Sequence, residues 1–224
     1  MSSDLALLRL LQLASPGLPV GGFTYSQGLE WAVEAGWVST TEGFCNWQRE
    51  QLHDTLGYLD WPLLARLYRA CERADVEAFG HWSQFLLANR ETAELRLEER
   101  QRGYALARIL DGWQLGQDLA WRPQLELTQL GAMAWLAVHW AIPIRQLALG
   151  LGFAWLEGAV MAGVKLVPFG QQAAQTVLRD LAAELPAVLD MALELDDEQL
   201  GGGLPLLAIA SSRHETQYTR LFRS

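Results

Sequence analysis

The sequence predicts an all-α fold, arranged as a single-domain bundle of about ten helices. Half of its 224 residues are hydrophobic, which is enough apolar material for a sizeable core. Apolar side chains recur at helical spacing along most of the chain, and no strand-like alternation extends beyond a few residues. No internal repeat appears. We therefore expect one domain over residues 1–224, with residues 203–224 as a C-terminal tail.

The first predicted helix is short and apolar on almost every side. It contains Leu5, Leu7, Leu8, Leu10, Leu11 and Leu13. The helix must end before Pro16, because proline disfavours the helical conformation in the residue that precedes it. A helix without a polar face is expected to be buried.

The segment from Ala14 to Glu30 is predicted to be a structured loop. Its prolines and glycines prevent a helix from continuing through the first half of the segment. It also carries Leu18, Val20 and Tyr25, which is more apolar surface than a flexible linker exposes. The loop should therefore fold against the domain or contact a partner.

Capping signals predict where several middle helices begin. The sequence Ser39-Thr-Thr-Glu42 matches a capping box. We interpret Asp60 as the N-cap of a separate helix that starts at Trp61. Dense charges of mixed sign between Glu91 and Gln117 predict a long, partly exposed helix.

Between Glu126 and Glu157 the only charged residue is Arg145, and the stretch is apolar enough to raise the question of a membrane hairpin. Pro143 interrupts it, and the flanking charges are mixed rather than basic. Central helices of an all-α domain, or helices in an oligomer interface, explain the pattern better. A membrane-associated protein that uses residues 127–156 remains an alternative.

Composition argues against several functions. A net charge of −9 and a pI near 4.9 oppose binding to nucleic acid. The two cysteines, and the lack of a basic-then-apolar leader, indicate the cytoplasm. There is no phosphate-binding loop and no recognisable nucleophile-and-base motif, so we expect no cofactor and no catalysis. The alternative is an all-α enzyme with a pocket lined by Tyr25, Glu30 and tryptophans.

We expect no metal site within the chain. Glu50 and His53 form only one of the two Glu-x-x-His pairs that a di-metal helical bundle requires. His139 lies in an apolar stretch and is predicted to be a core histidine. His214 stands beside Glu215 in the polar tail, where it could touch a metal or a partner, but two ligands do not close a structural site.

The tail combines the residue types that anchor protein interfaces, with Tyr218 and Phe222 close to Arg213 and Arg220. It follows a break rich in acidic residues and glycine. We therefore predict a segment that is mobile when free and ordered when bound. Docking of the tail on its own domain is the alternative.

Three motifs resemble one family. Leu10 to Pro16, followed by Leu-Pro-Val-Gly-Gly-Phe-Thr-Tyr-Ser-Gln-Gly-Leu-Glu at residues 18–30, is similar to the N-terminal signature of the urease accessory protein F family, UreF. Val-Lys-Leu-Val-Pro-Phe-Gly-Gln at residues 164–171 resembles its late-helix element. The run from Arg213 to Ser224 resembles its tail. The three matches occur in the family's order.

The resemblance implies a non-catalytic assembly factor for the nickel enzyme urease. The family is all-α and typically dimeric. It binds UreD, also called UreH, and helps to recruit the GTPase UreG, in an assembly that delivers nickel to apo-urease. The residues that we expect to contact partners are Gly21, Gly22, Phe23, Tyr25, Gln27, Glu30, Lys165, Arg213, His214, Glu215, Tyr218, Arg220 and Phe222.

Overall fold

The chain folds into twelve α-helices in the computed structural model, which describes residues 3–223 apart from the side chain of Phe23. They are α1 (Ser3–Ala14), α2 (Leu29–Glu34), α3 (Thr41–Glu50), α4 (Trp61–Glu72), α5 (Val76–Asn89), α6 (Ala93–Gly112), α7 (Arg122–Leu125), α8 (Gln129–His139), α9 (Ile144–Leu166), α10 (Gln171–Ala182), α11 (Leu185–Glu194) and α12 (Pro205–His214). Only α2 and α7 are shorter than two turns. Residues 3–223 contain no strand. The predicted all-α bundle of about ten helices is confirmed.

Helix α4 lies at the centre of the bundle, where it packs on α5, α8 and α11. Its side chains Leu63, Leu64 and Leu67 are completely buried. Full burial of a leucine contributes about 1.5–3 kcal/mol. A second core region joins α2, α3, α10 and α12, and the long helix α9 contributes side chains to both regions. Helix α9 therefore holds the two halves of the bundle together.

Helices α3 and α4 belong to one continuous helical run, because a π-helical segment, Gln51–Asp60, connects them. The run begins one residue later than the capping box predicts, since Thr40 is the N-cap and its side chain accepts a hydrogen bond from the amide of Gly43. The prediction that Asp60 caps a separate helix is wrong. Its backbone is helical and its carboxylate pairs with Arg90.

Helix α1 is buried on one face only. Ala6, Leu10 and Leu13 face the core beside α9. The outward leucines Leu5, Leu7, Leu8 and Leu11 are exposed, Leu8 by 61%. The prediction of a wholly buried helix is therefore wrong for this chain by itself, because a helix that lies on the surface of the bundle covers only its inner face.

Helix α9 is long and apolar enough to cross a membrane, and it is the one such helix in the described part of the chain. It packs against α1, α10 and α11. A single apolar helix is weak evidence for a membrane span, because core helices of soluble proteins meet the same criterion.

Gly103 allows α6 to touch the turn that precedes α8. A Cβ atom at this position would lie 2.8 Å from backbone atoms of Glu126 and Thr128. We expect Gly103→Ala to lower the free energy of unfolding by about 2 kcal/mol, because overpacking outweighs the better helix propensity of alanine. Urea denaturation measures the change.

Gly112 is the matched control, because it lies in the same helix and a Cβ atom there meets nothing within 4 Å. Gly112→Ala should leave stability unchanged or raise it by up to about 1 kcal/mol. Equal losses in the two variants would contradict the explanation by close approach.

Candidate protein-binding site

A buried carboxylate, Glu30 of α2, fastens the C-terminal tail to the beginning of the chain. Glu30 is 7% exposed. Its two oxygens accept hydrogen bonds from the backbone amides of Leu221, at 2.6 Å, and Phe222, at 2.9 Å. Hydrogen bonds to an ionised acceptor are roughly twice as strong as those between neutral groups. Glu30 therefore holds the tail against α2.

His214, at the end of α12, bridges two acidic residues. Its ring is fully buried, with Nε2 3.2 Å from Oε2 of Glu30 and Nδ1 2.9 Å from Oε2 of Glu94. A neutral imidazole has one N–H, so both contacts are hydrogen bonds only in the imidazolium form. Glu94 also accepts a hydrogen bond from Nη1 of Arg220 at 2.8 Å. Two carboxylates thus face the imidazole of His214 and the guanidinium of Arg220.

One face of α6 receives both the loop and the tail. Glu94, Glu98 and Gln101 are spaced i, i+4, i+7 and therefore share a helix face. Glu94 contacts the tail. Oε1 of Glu98 accepts a hydrogen bond from Nε2 of Gln27 at 3.1 Å, and Oε1 of Gln101 accepts one from the hydroxyl of Tyr25 at 3.0 Å. The two ends of the chain consequently lie side by side on this helix.

Gly28 permits the close approach of α12 to the loop. Its φ is +78°, and a Cβ atom would lie 3.0 Å from the backbone nitrogen of Ser211. The hydroxyl of Ser211 is 2.8 Å from that of Thr92, which is the N-cap of α6. These contacts join α2, α6 and α12 where the loop meets the tail.

The remaining predicted contacts lie around this junction. Lys165, at the end of α9, is exposed, and its Nζ lies 5.2 Å from the centre of the buried Phe222 ring, within range of a cation–π interaction. Oε1 of Glu215 accepts a hydrogen bond from the amide of Glu94. Arg213 and Tyr218 are exposed.

The structure thus brings most of the predicted site residues together. Gly21 has a φ of +75° and precedes a single 3₁₀ turn, Gly22–Thr24. The side chain of Phe23 lies outside the described residues. Glu30, His214 and Phe222 are buried, so they can serve a partner only by holding exposed neighbours in place. The tail lies docked on its own domain, which is the alternative arrangement stated above.

The sequence did not indicate the role of α6. Its dense charges predicted a long, partly exposed helix, and α6 is long and partly exposed, with Leu97 and Tyr104 each 54% exposed. The face that carries Glu94, Glu98 and Glu99 is buried, however, and each of these residues is at most 9% exposed. The one available signal is the i, i+4 spacing of Glu94 and Glu98, which also occurs on solvent-facing helices. Only the packing distinguishes the two cases.

A second ionic cluster joins the end of the π-helical segment to α6. Nη2 of Arg90 lies 2.9 Å from Oδ1 of Asp60 and 2.9 Å from Oε2 of Glu99. Burial raises the pKa of Asp60 above its usual value, and the attraction of Arg90 offsets this only in part. Burial by itself lowers the pKa of Arg90, but Asp60 and Glu99 raise it overall. The guanidinium therefore stays charged.

A cavity of about 620 Å³ lies between the loop, the π-helical segment and α9. Tyr25, Trp61 and Trp155 line it, as the enzyme alternative expects, whereas Glu30 is not among its lining residues. The described lining contains neither histidine nor cysteine. It therefore lacks the residue types that most often act as general base or thiol nucleophile.

Histidines do not form a metal site in the described part of the chain. Within residues 3–223, no group of three His, Cys, Asp or Glu side chains could hold a metal ion. The prediction of a core histidine is wrong for His139. It is exposed and stacks on Trp135, with the ring centres 5.2 Å apart, because His139 lies on the solvent-facing side of the last turn of α8.

Fold and site together define an all-α protein that joins its N-terminal loop and C-terminal tail on one helix. The UreF family model matches residues 38–182. The chain is 84% identical to the urease accessory protein UreF of Pseudomonas putida strain F1 and 55% identical to that of Klebsiella pneumoniae strain 342, over all of both chains. It is 57% identical to the Citrobacter koseri protein over 97% of each chain.

The chain belongs to the UreF family of urease accessory proteins, which confirms the resemblance that its motifs indicate. Its role lies in urease maturation.

Proposed function

We propose that this protein is a non-catalytic adaptor that binds UreD/UreH and recruits or modulates the GTPase UreG during nickel insertion into apo-urease. It acts in the cytoplasm as a homodimer, without binding nucleic acid or membrane. Residues 1–224 form one domain, and residues 203–224 are its partner-binding segment. The observation that carries this proposal is the junction of loop and tail on α6. Family membership supports the role in urease maturation, and the family resemblance supplies the named partners.

The exposed rim of the junction has the chemistry of an interface. The Arg220 side chain is 40% exposed beyond its contact with Glu94, and Lys165 is exposed above Phe222. Tyr218 is fully exposed and Leu221 is 63% exposed. Arginine and tyrosine are enriched among the residues that dominate binding energy at interfaces. The buried network holds the backbone that carries these side chains in place before a partner arrives, which reduces the entropy lost on binding.

The homodimer remains a prediction. The exposed leucines of α1 offer an apolar surface that a second copy could cover.

Lys165→Ala and Arg220→Ala test the partner-binding surface. Each variant would be produced with the other proteins of the urease gene cluster. We expect each to reduce recovery of UreD/UreH or UreG with this protein, and to reduce urease activation, by at least about tenfold, because an interface hot spot contributes more than about 1.4 kcal/mol.

Arg179→Ala is the matched control, because Arg179 is a 74% exposed arginine on α10 that pairs with Asp180. Arg220→Lys is a second control. It can retain a contact with Glu94, so any loss of binding in this variant reports a lost partner contact rather than release of the tail. If Lys165→Ala and Arg220→Ala both left complex formation and activation unchanged, the assigned surface would be wrong. Truncation after Ser212 is a poorer test, because it also removes the buried His214.

A further inference from the structure

A second surface lies beside the junction, between α2 and the end of α12. It is a pocket of about 450 Å³. Helix α2 and the turn after it supply Trp31, Glu34 and Trp37, and α12 and the tail supply Ile209, Arg213 and Tyr218. Its walls come from both ends of the chain: α2 packs on α12, and Tyr218 of the segment after α12 lines one side.

The walls of the pocket are aromatic and remain open to solvent. The indoles of Trp31 and Trp37 meet edge to face, with centres 4.8 Å apart and planes at 89°. Trp37 is 43% exposed, Ile209 is 46% exposed and Tyr218 is fully exposed. A cluster of exposed large apolar side chains, rimmed by polar groups, is typical of a protein-interaction surface.

The charges around the pocket favour an acidic occupant. The guanidinium of Arg213 makes no ion pair within residues 3–223, whereas the carboxylate of Glu34 accepts a hydrogen bond from the side-chain amide of Gln217. Residues 213–223 contain three arginines and one glutamate, in a chain whose net charge is −9. Of these arginines, Arg213 lies in the pocket without an ion pair among residues 3–223, and a carboxylate of an acidic segment would complement it.

We propose that this pocket docks an acidic segment of a partner protein, with a carboxylate on Arg213 and a neighbouring apolar side chain between Trp37 and Ile209. Arginine pairs with carboxylates in a bidentate geometry, and the indoles provide rigid apolar area. The inference rests on the proposed function only in taking that partner to be a component of urease maturation.

The test uses defined peptides and the full-length chain. Acetyl-Glu-Leu-Glu-Leu-Glu-amide is titrated into ¹⁵N-labelled protein at low salt, and the indole N–H signals of Trp31 and Trp37, assigned with Trp→Phe variants, report binding. We expect saturable shifts of these signals. The matched peptides with glutamine or lysine in place of glutamate should bind at least about fivefold more weakly, because they lose the ion pair with Arg213.

Substitutions on the two charged walls have opposite expected effects. Arg213→Gln should weaken binding of the acidic peptide at least about fivefold, and Trp37→Ala should weaken it comparably. Glu34→Gln should leave binding unchanged or strengthen it, because it removes a like charge. Three results would overturn the proposal. They are tighter binding of the lysine peptide, the absence of any shift, and a Glu34→Gln variant that binds the acidic peptide more weakly while Arg213→Gln binds it as well as the unaltered protein does. Because no urease protein is present, this result is independent of the co-purification experiment.

Discussion

Replacing Glu30 with alanine is expected to release the C-terminal tail from the domain. The substitution leaves the amides of Leu221 and Phe222 without their carboxylate acceptor and removes the carboxylate that lies against Nε2 of His214. Hydrogen bonds to charged groups contribute about 1.5–3 kcal/mol each, so docking of the tail should weaken by about 2–4 kcal/mol once local relaxation is allowed. Hydrogen exchange of the Phe222 amide should accelerate by roughly 30- to 1000-fold.

Two further variants define the mechanism of this release. Glu194→Ala removes an exposed glutamate from the end of α11 and should leave exchange in the tail unchanged. Glu30→Gln keeps one oxygen acceptor without the charge. Its rate of hydrogen exchange at the Phe222 amide should therefore lie between the rates of Glu30→Ala and the unaltered protein. Unchanged protection of the Phe222 amide in Glu30→Ala would show that Glu30 does not hold the tail. In Glu30→Ala, Tyr218 should also leave the aromatic pocket between α2 and α12.

Replacing Arg90 with methionine is expected to lower the free energy of unfolding by about 3–5 kcal/mol, because it leaves Asp60 and Glu99 close together, buried and without their shared cation. Methionine preserves much of the side-chain length, so the decrease in the free energy of unfolding reflects the missing charge rather than a cavity. Urea denaturation followed by far-ultraviolet circular dichroism measures it.

The surface pair of Arg179 and Asp180 is the matched control for this prediction. Both side chains are more than half exposed, and Arg179→Met should therefore change stability by no more than about 1 kcal/mol. Adding Asp60→Asn to Arg90→Met should recover part of the loss, because it removes one of the two uncompensated carboxylates. Equal effects of Arg90→Met and Arg179→Met would rule out a special role for the buried cluster.

Neither ionic cluster, the one around Glu94 or the one around Arg90, could be predicted from the sequence, and the physical reason is the same for both. Asp60 has the residue type and neighbours of an N-cap, yet the chain passes through it in a π-helical segment and its carboxylate turns inward to Arg90. Glu94 sits in a run of charges that would suit a solvent-facing helix. Local patterns specify which residues share a helix face, whereas the element that covers the face depends on distant parts of the chain.

The sequence indicated the character of the loop and of the tail, but not which parts of the domain they contact. Prolines and glycines beside Leu18 and Val20 indicated a structured loop, and both of these side chains are buried. The residue types of the tail indicated an interface, but they also suit a segment docked on its own domain. The bond from the Phe222 amide to Glu30 spans 192 positions, and no local pattern predicts such a contact.

By itself, the sequence determined the all-α class, the approximate number of helices and the resemblance to the UreF family, because helical periodicity and short motifs are written in neighbouring residues. Only the tertiary structure decided that the loop and tail meet on α6, that Glu94 and Glu98 are buried and that half of α1 remains exposed. These features depend on which surfaces pack together, since the burial of a charge or a leucine is a property of its surroundings rather than of its residue type.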